Sequence, residues 1–179
     1  NRQVGADLST LGKTKIEVMS SRASLINPDL EIRKFESGID EKNISDFLDG
    51  VDLYVDGLDV FVLGLRQILF DECQKRQIPV LTVAPIGSGA ACLVFTQPSM
   101  TAEKYFGWKD KPAIEQYARF ILGFSPHFLH LPSLVDRRYA NAHQKKAPSL
   151  PMGCELAAGI MGSEVLKLIL KRGKRIQAP

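Results

Sequence analysis

Cysteine is scarce in this chain: Cys73, Cys92 and Cys154 lie far apart and form no C-x-x-C pair. An odd, dispersed set argues against a disulfide framework and against a cysteine zinc site, and a reducing cytoplasm fits it best. Histidine is equally sparse. His127, His130 and His143 form no i, i+4 pair and have no acid close by, so a histidine metal centre is not expected. No apolar run approaches the roughly 20 residues needed to span a bilayer, and the opening Asn1-Arg2-Gln3-Val4-Gly5 has no signal-peptide pattern. That opening is polar and lacks a methionine, so we expect further residues upstream of Asn1. A dominant charge is also missing, because 23 basic residues oppose 20 acidic ones and the net charge of +3 is scattered. The denser bases, Arg137-Arg138, Lys145-Lys146 and Lys171 to Arg175, are expected to be solvated surface rather than a polyanion site. Neither glycine-rich phosphate loop is present: the stretch from Gly5 to Gly12 does not have Walker A spacing, and no G-x-G-x-x-G occurs.

What is present is an ordinary globular composition, 45% hydrophobic and 24% charged, enough for one sizeable core in a single domain over 1–179. Ile16, Met19, Ala23 and Ile26 recur at spacings of three and four, which predicts a helix from Gly12 to Asn27 that Asn27-Pro28 ends. Leu30 to Phe35 partly alternates and predicts a strand, Asn43 to Leu48 a short helix, and Val51 to Val55 a strand ending in Asp56-Gly57. Phe61 to Arg76 predicts a buried helix, and the β-branched stretch Ile78 to Val83 another strand. The turn Pro85-Ile86-Gly87-Ser88-Gly89 is too short for a helical crossover, so Ala91 to Phe95 should run antiparallel. This alternation predicts an α/β fold, a Rossmann-like three-layer mixed sheet that is mostly parallel with an antiparallel side. Residues 97–150 are expected to be a crossover loop or insertion carrying a helix near Ala113 to Leu122, and loops of that length are commonly functional. A closing helix is expected over 152–172, closely packed through its small residues and a candidate subunit contact.

Two constellations could do chemistry. Asn1-Arg2-Gln3 and Gly12-Lys13-Thr14-Lys15 flank a short loop leading into a helix start, a place that favours anions. Arg2 brings a planar fork and Lys15 a mobile point charge, so together they suit a triphosphate; the alternative is an exposed terminus with surface lysines. In Val55-Asp56-Gly57-Leu58-Asp59, two carboxylates leave the carboxyl end of a strand, where open α/β sheets bind ligands. Asp59 is a candidate Mg²⁺ ligand and Asp56 a turn former or helix cap, with capping the common role of either aspartate alone. The three cysteines are expected to be buried rather than reactive.

Taken in order, Asn1-Arg2-Gln3, Gly12-Lys13-Thr14-Lys15, Ile26-Asn27-Pro28, Val55 to Asp59 and Pro85 to Gly89 resemble the ThiF/MoeB/E1 family of ATP-dependent activating enzymes. The closing helix, with Gly159 and Glu164, is similar to that family's last helix. The resemblance implies ATP and Mg²⁺ on a Rossmann-like sheet, and adenylation of a carboxylate at the C-terminus of a ubiquitin-like or sulfur-carrier protein. It also implies that Arg2 contacts phosphate, that Lys15 is the lysine of the G-x-x-K segment, and that Asp59 is linked to Mg²⁺ and the α-phosphate. Asn1 and Gln3 are further nucleotide-binding candidates from the same motif, and a homodimer is the family's usual state. A tRNA-bound or peptide carboxylate is an alternative acceptor, with no other nucleic acid expected. The chain departs from the family in the glycine-rich turn absent before Asn1, in Val60 where Asn often follows the aspartate, and in the absence of a loop cysteine and C-x-x-C pair. These departures leave adenylation without a thioester, with a degenerate interaction module as the competing reading. A nicotinamide oxidoreductase fits worst, since no hydride-transfer acid or base is offered.

Overall fold

The computed structural model describes residues 3–134, 149–174 and 176. After a 3-10 turn at Leu8–Thr10, the order is α1 (Lys15–Ile26), α2 (Ile44–Phe47), β1 (Tyr54–Asp56), α3 (Leu63–Lys75), β2 (Val80–Ile86), β3 (Gly89–Phe95), α4 (Ala102–Phe106) and α5 (Ala113–Phe124). A second 3-10 turn at Leu131–Ser133 and the long α6 (Pro151–Ile169) complete it. Helix α1 begins where its sequence can satisfy its own first amides. Thr14 caps Glu17 N–H, and the Glu17 carboxylate returns to accept the Thr14 N–H at 2.7 Å, a reciprocal capping box.

The sheet is mixed, in the order β1-β2-β3. β1 pairs in parallel with β2, Asp56 opposite Thr82, and β2 pairs antiparallel with β3, from Val80 opposite Phe95 to Ile86 opposite Gly89. Alternation across these strands divides the core into two. Leu81, Val83 and Val94 face α6 and bury Ala157 with Met161, Val165 and Leu168. Tyr54, Val80 and Phe95 face the other way, onto α2 to α5, where Trp108 stacks on Phe106 and Phe120. Helices on both faces of one sheet give the three-layer α/β arrangement that the alternating pattern predicts.

One expectation is corrected. Leu30 to Phe35 forms no strand; its residues are mostly exposed and enter no ladder. Its alternation was partial, and side chains hold it in place instead. Arg33 bonds the Asp46 carboxylate and the Asp46 and Asp49 carbonyls, and Phe35 packs edge-on against Phe47. Pattern alone does not make a strand without a partner edge to pair with. The region 97–150 carries both α4 and α5.

The tip between β2 and β3 is a junction. Gly87 has φ +59°, and any side chain there would run into the Ser133 carbonyl. Ser88 N–H donates to Ser133 O at 3.0 Å, and Leu150 N–H donates to Gly87 O at 3.0 Å. Gly87→Ala therefore meets both an unfavourable backbone and a steric block, and should lower stability by about 2–4 kcal/mol in urea unfolding followed by Trp108 fluorescence.

Candidate functional site

The carboxyl ends of the parallel strands carry the two aspartates, and the structure gives them different work. Asp56 is only 3% exposed. Its Oδ2 accepts Arg66 Nε at 2.8 Å and Thr82 Oγ1 at 2.8 Å, while Oδ1 accepts Leu58 N–H at 3.1 Å. Arg66 reaches this carboxylate from α3, where Leu63, Arg66, Leu69, Phe70 and Cys73 form the buried face. Its remaining nitrogens donate to Asp59 O at 3.1 Å and Leu58 O at 2.5 Å, and the Phe120 ring lies 4.7 Å from the guanidinium carbon. Burial, with the neighbouring Asp56 charge, raises the Tyr54 phenol well above its ordinary range, so it stays a protonated donor beside the pair.

Asp56 thus shapes the turn, buried and with a partner on each oxygen. Asp59, at the end of the same turn, is exposed; Oδ1 accepts Phe61 N–H at 2.9 Å, and its second oxygen has no partner among the described residues. That is a carboxylate oriented by its own backbone and open on one side. No cluster of three or more acid, histidine or cysteine ligands occurs among the described residues. Mg²⁺ needs no such cage, since it commonly takes one or two carboxylates and completes its shell with phosphate oxygens and water. Asp59 fits that role. Val60 turns inward against the core rather than offering a polar contact.

The basic constellation is less assembled. Asn1 and Arg2 lie outside the described residues. Gln3 is exposed and its carbonyl accepts Ala6 N–H at 3.0 Å. Lys15 stands exposed in the first turn of α1. Among the described residues no hydrogen bond or ion pair joins Gln3 or Lys15 to the Asp56–Asp59 turn. The Thr14 amide at the cap of α1 already donates to the Glu17 carboxylate, whose acidity the Thr14 N–H and hydroxyl strengthen. An anion would accordingly meet the lysine side chains first.

Of the three cysteines expected to be buried, Cys73 is, whereas Cys92 and Cys154 are half-buried. Burial pushes Cys73 up to about 12 and Cys92 up to about 11, the latter aided by the nearby Glu164 charge. His130 is tied structurally, with Nδ1 3.2 Å from Ser125 Oγ and Nε2 3.3 Å from Ala90 O. His143 lies outside the described residues. Glu164 is buried on α6 and pairs with Lys167 at 2.5 Å. Sequence reasoning missed Arg66 and Thr82. Arg66 had a signal, an arginine in register with Leu63, Leu69, Phe70 and Cys73 on the apolar face of a helix that follows an aspartate-ended strand. Thr82 had none.

A three-layer mixed sheet with an aspartate turn at the carboxyl end of its parallel pair defines a Rossmann-like α/β protein. More particularly, the chain belongs to the ThiF family, whose sequence model matches residues 1–178. It is 36% identical over 88 residues to the tRNA threonylcarbamoyladenosine dehydratase of Haemophilus influenzae, covering 49% of this chain and 33% of the relative. It is 35% identical over 83 residues to the tRNA threonylcarbamoyladenosine dehydratase of Bacillus subtilis, covering 46% and 32%. The stretches it shares with these curated relatives amount to about a third of their length. A crystal structure of E. coli MccB with ATP superposes on 99% of this chain and 46% of that one, with a TM-score of 0.67 at 16% identity, so the two share a fold. No helix among the described residues is long and apolar enough to cross a membrane.

Two outcomes follow from the geometry. Asp56→Ala strands the buried Arg66 charge and should cost about 3–5 kcal/mol in urea unfolding, whereas Asp59→Ala should cost no more than about 1 kcal/mol. Cys73 and Cys92 should react with iodoacetamide at pH 8 at least about tenfold more slowly in the native protein than in urea, by mass spectrometry, because their thiolate fractions are depressed.

Proposed function

We propose that this chain carries an ATP- and Mg²⁺-dependent adenylation of a carboxylate. The observation that carries it is Asp59, held exposed at the carboxyl end of a parallel strand by a turn built on the buried Asp56–Arg66 pair, in a chain of the ThiF family. In the reaction a carboxylate oxygen bonds the α-phosphorus, the α–β phosphoanhydride breaks, and pyrophosphate leaves with the electron pair. Both reactants are anions, so the site must offset their repulsion. Bound Mg²⁺ supplies charge neutralisation at the phosphates. Asp59 would hold the metal, Lys15 and Arg2 would meet the phosphates, and Asn1 and Gln3 would add polar contacts. The protein is read as a cytoplasmic homodimer.

Two acceptor classes are in play. The resemblance of the motifs favours the C-terminal carboxylate of a ubiquitin-like or sulfur-carrier protein. The similarity to two bacterial tRNA threonylcarbamoyladenosine dehydratases favours a tRNA-borne carboxylate, since a threonylcarbamoyl group ends in the free carboxylate of threonine. The raised thiols of Cys73 and Cys92 support adenylation without a following thioester on either of them.

ATP–pyrophosphate exchange by the full-length protein, run with Mg²⁺ and each acceptor class in turn, tests the reading. Exchange that depends on one acceptor and falls about 100-fold or more in Asp59→Ala supports adenylation and names the acceptor class. ATP binding without exchange for any acceptor would overturn it in favour of a nucleotide-binding interaction module.

A further inference from the structure

We propose that Arg66 is the positioning residue for Asp59, fixing the direction of that carboxylate without touching ligand; the proposal rests on the reading of Asp59 above. Neutralising Asp56 would need only one guanidinium nitrogen. Arg66 Nε does that, at 2.8 Å. Its Nη1 and Nη2 are spent on the Asp59 and Leu58 carbonyls, at 3.1 and 2.5 Å, so a single rigid plane spans the turn from Asp56 to Asp59. The turn's own bonds are all short-range, Leu58 N–H to Asp56 Oδ1, Phe61 N–H to Asp59 Oδ1 and Val62 N–H to Asp59 O at 3.1 Å, and none of them reaches from Asp56 to Asp59. Behind the guanidinium stands α5. Phe120 lies against it at 4.7 Å, and Tyr117 donates its hydroxyl to Phe61 O at 3.0 Å. Together Arg66 and α5 hold both flanks of Asp59, from Leu58 on one side to Phe61 on the other. The exposed carboxylate therefore has one direction although its side chain lies in solvent.

Lysine at 66 keeps the charge and a bond to Asp56 but cannot form the two carbonyl bonds in the same plane. Three measurements on the full-length protein separate positioning from simple stability. In Arg66→Lys, the half-saturating Mg²⁺ concentration for ATP–pyrophosphate exchange should rise about tenfold and kcat should fall about 10- to 100-fold, with a single cooperative melt retained. Amide hydrogen exchange at Leu58 and Phe61 should accelerate at least about tenfold, while the β2–β3 ladder amides of Leu93 and Phe95 stay protected as in the wild type. Arg76→Lys, which alters a surface pair with Glu72, should change neither readout. A lowered melting temperature with unchanged Mg²⁺ response and unchanged Leu58 and Phe61 protection would overturn the proposal. If Arg66→Lys does not fold, Phe120→Leu decides: it leaves the ion pair and should shift both readouts in the same direction by a smaller factor, and no shift would overturn the proposal. Asp59→Asn separates the two readings. Unchanged Mg²⁺ response in that variant would refute the metal role of Asp59, while hydrogen exchange in Arg66→Lys would still test the positioning.

Discussion

The buried pair of Asp56 and Arg66 is the constraint around which the carboxyl edge of the sheet is arranged. Taking both charges out of water costs several kcal/mol, and their attraction offsets that only if every remaining lone pair and donor is satisfied. Here they are. Asp56 receives Arg66, Thr82 and the Leu58 amide, and Arg66 turns its other nitrogens to two carbonyls and its face to Phe120. Each partner comes from a different part of the fold: β1, β2, α3, α5 and the turn after β1. The pair therefore does more than stabilise. It sets where α3 sits against the sheet and which way the chain leaves β1, and it leaves Asp59 as the carboxylate of that turn free to act.

That division between two aspartates three residues apart explains what could and could not be read from sequence. Asp56-Gly57-Leu58-Asp59 was legible as two carboxylates at a strand end, and the structure gives the turn-forming role to Asp56 while Asp59 stays exposed. What assigned them was tertiary: an arginine ten positions on and a threonine on the neighbouring strand. Helices whose signals are local were legible. α1 starts at a Thr-x-x-Glu cap and stops before Asn27-Pro28, and α3 follows its spacing of apolar residues. Leu30 to Phe35 misled because alternation describes one side of a bargain whose other side is a partner strand. α4 was invisible for a different reason: five residues from Ala102 are too few to show a period, and Thr101 and Gly107 delimit them only once packing by Phe106 is known.

The basic half of the site obeys a different logic. Glu17 accepts the Thr14 amide and places a negative charge in the first turn of α1, which weakens the field the helix start offers an incoming phosphate. Lys13 and Lys15 remain exposed beside it, with their charges on flexible stems. Positive charge on this side is thus mobile, whereas the acidic side is rigid. On the proposed reading, a site built this way would fix the Asp59 carboxylate by the fold and let the cations adapt to a triphosphate. Such an arrangement suits a reaction in which the phosphate chain must shift as pyrophosphate departs.

The sheet edge that presents Asp59 also anchors the region expected to choose the acceptor. β1 and β2 are parallel, so Asp56 and Ile86 both mark carboxyl ends, and the next residue, Gly87, is the junction that receives Ser133 on one side and Leu150 on the other. The crowding there is severe enough that Gly153 of α6 also approaches the Gly87 carbonyl, where an added Cβ would clash. One glycine with a left-handed backbone thereby ties the hairpin, the end of the 3-10 turn at Leu131–Ser133 and the start of α6 into one place. α5, which precedes that anchor in the chain, backs Arg66 through Phe120 and braces Phe61 through Tyr117. A change in how α5 packs would reach Asp59 through two contacts, without altering any residue that meets ligand. Activation chemistry at Asp59, as proposed, and any acceptor recognition in this region would therefore share a mechanical frame, and that frame includes the ion pair that makes the aspartate turn possible.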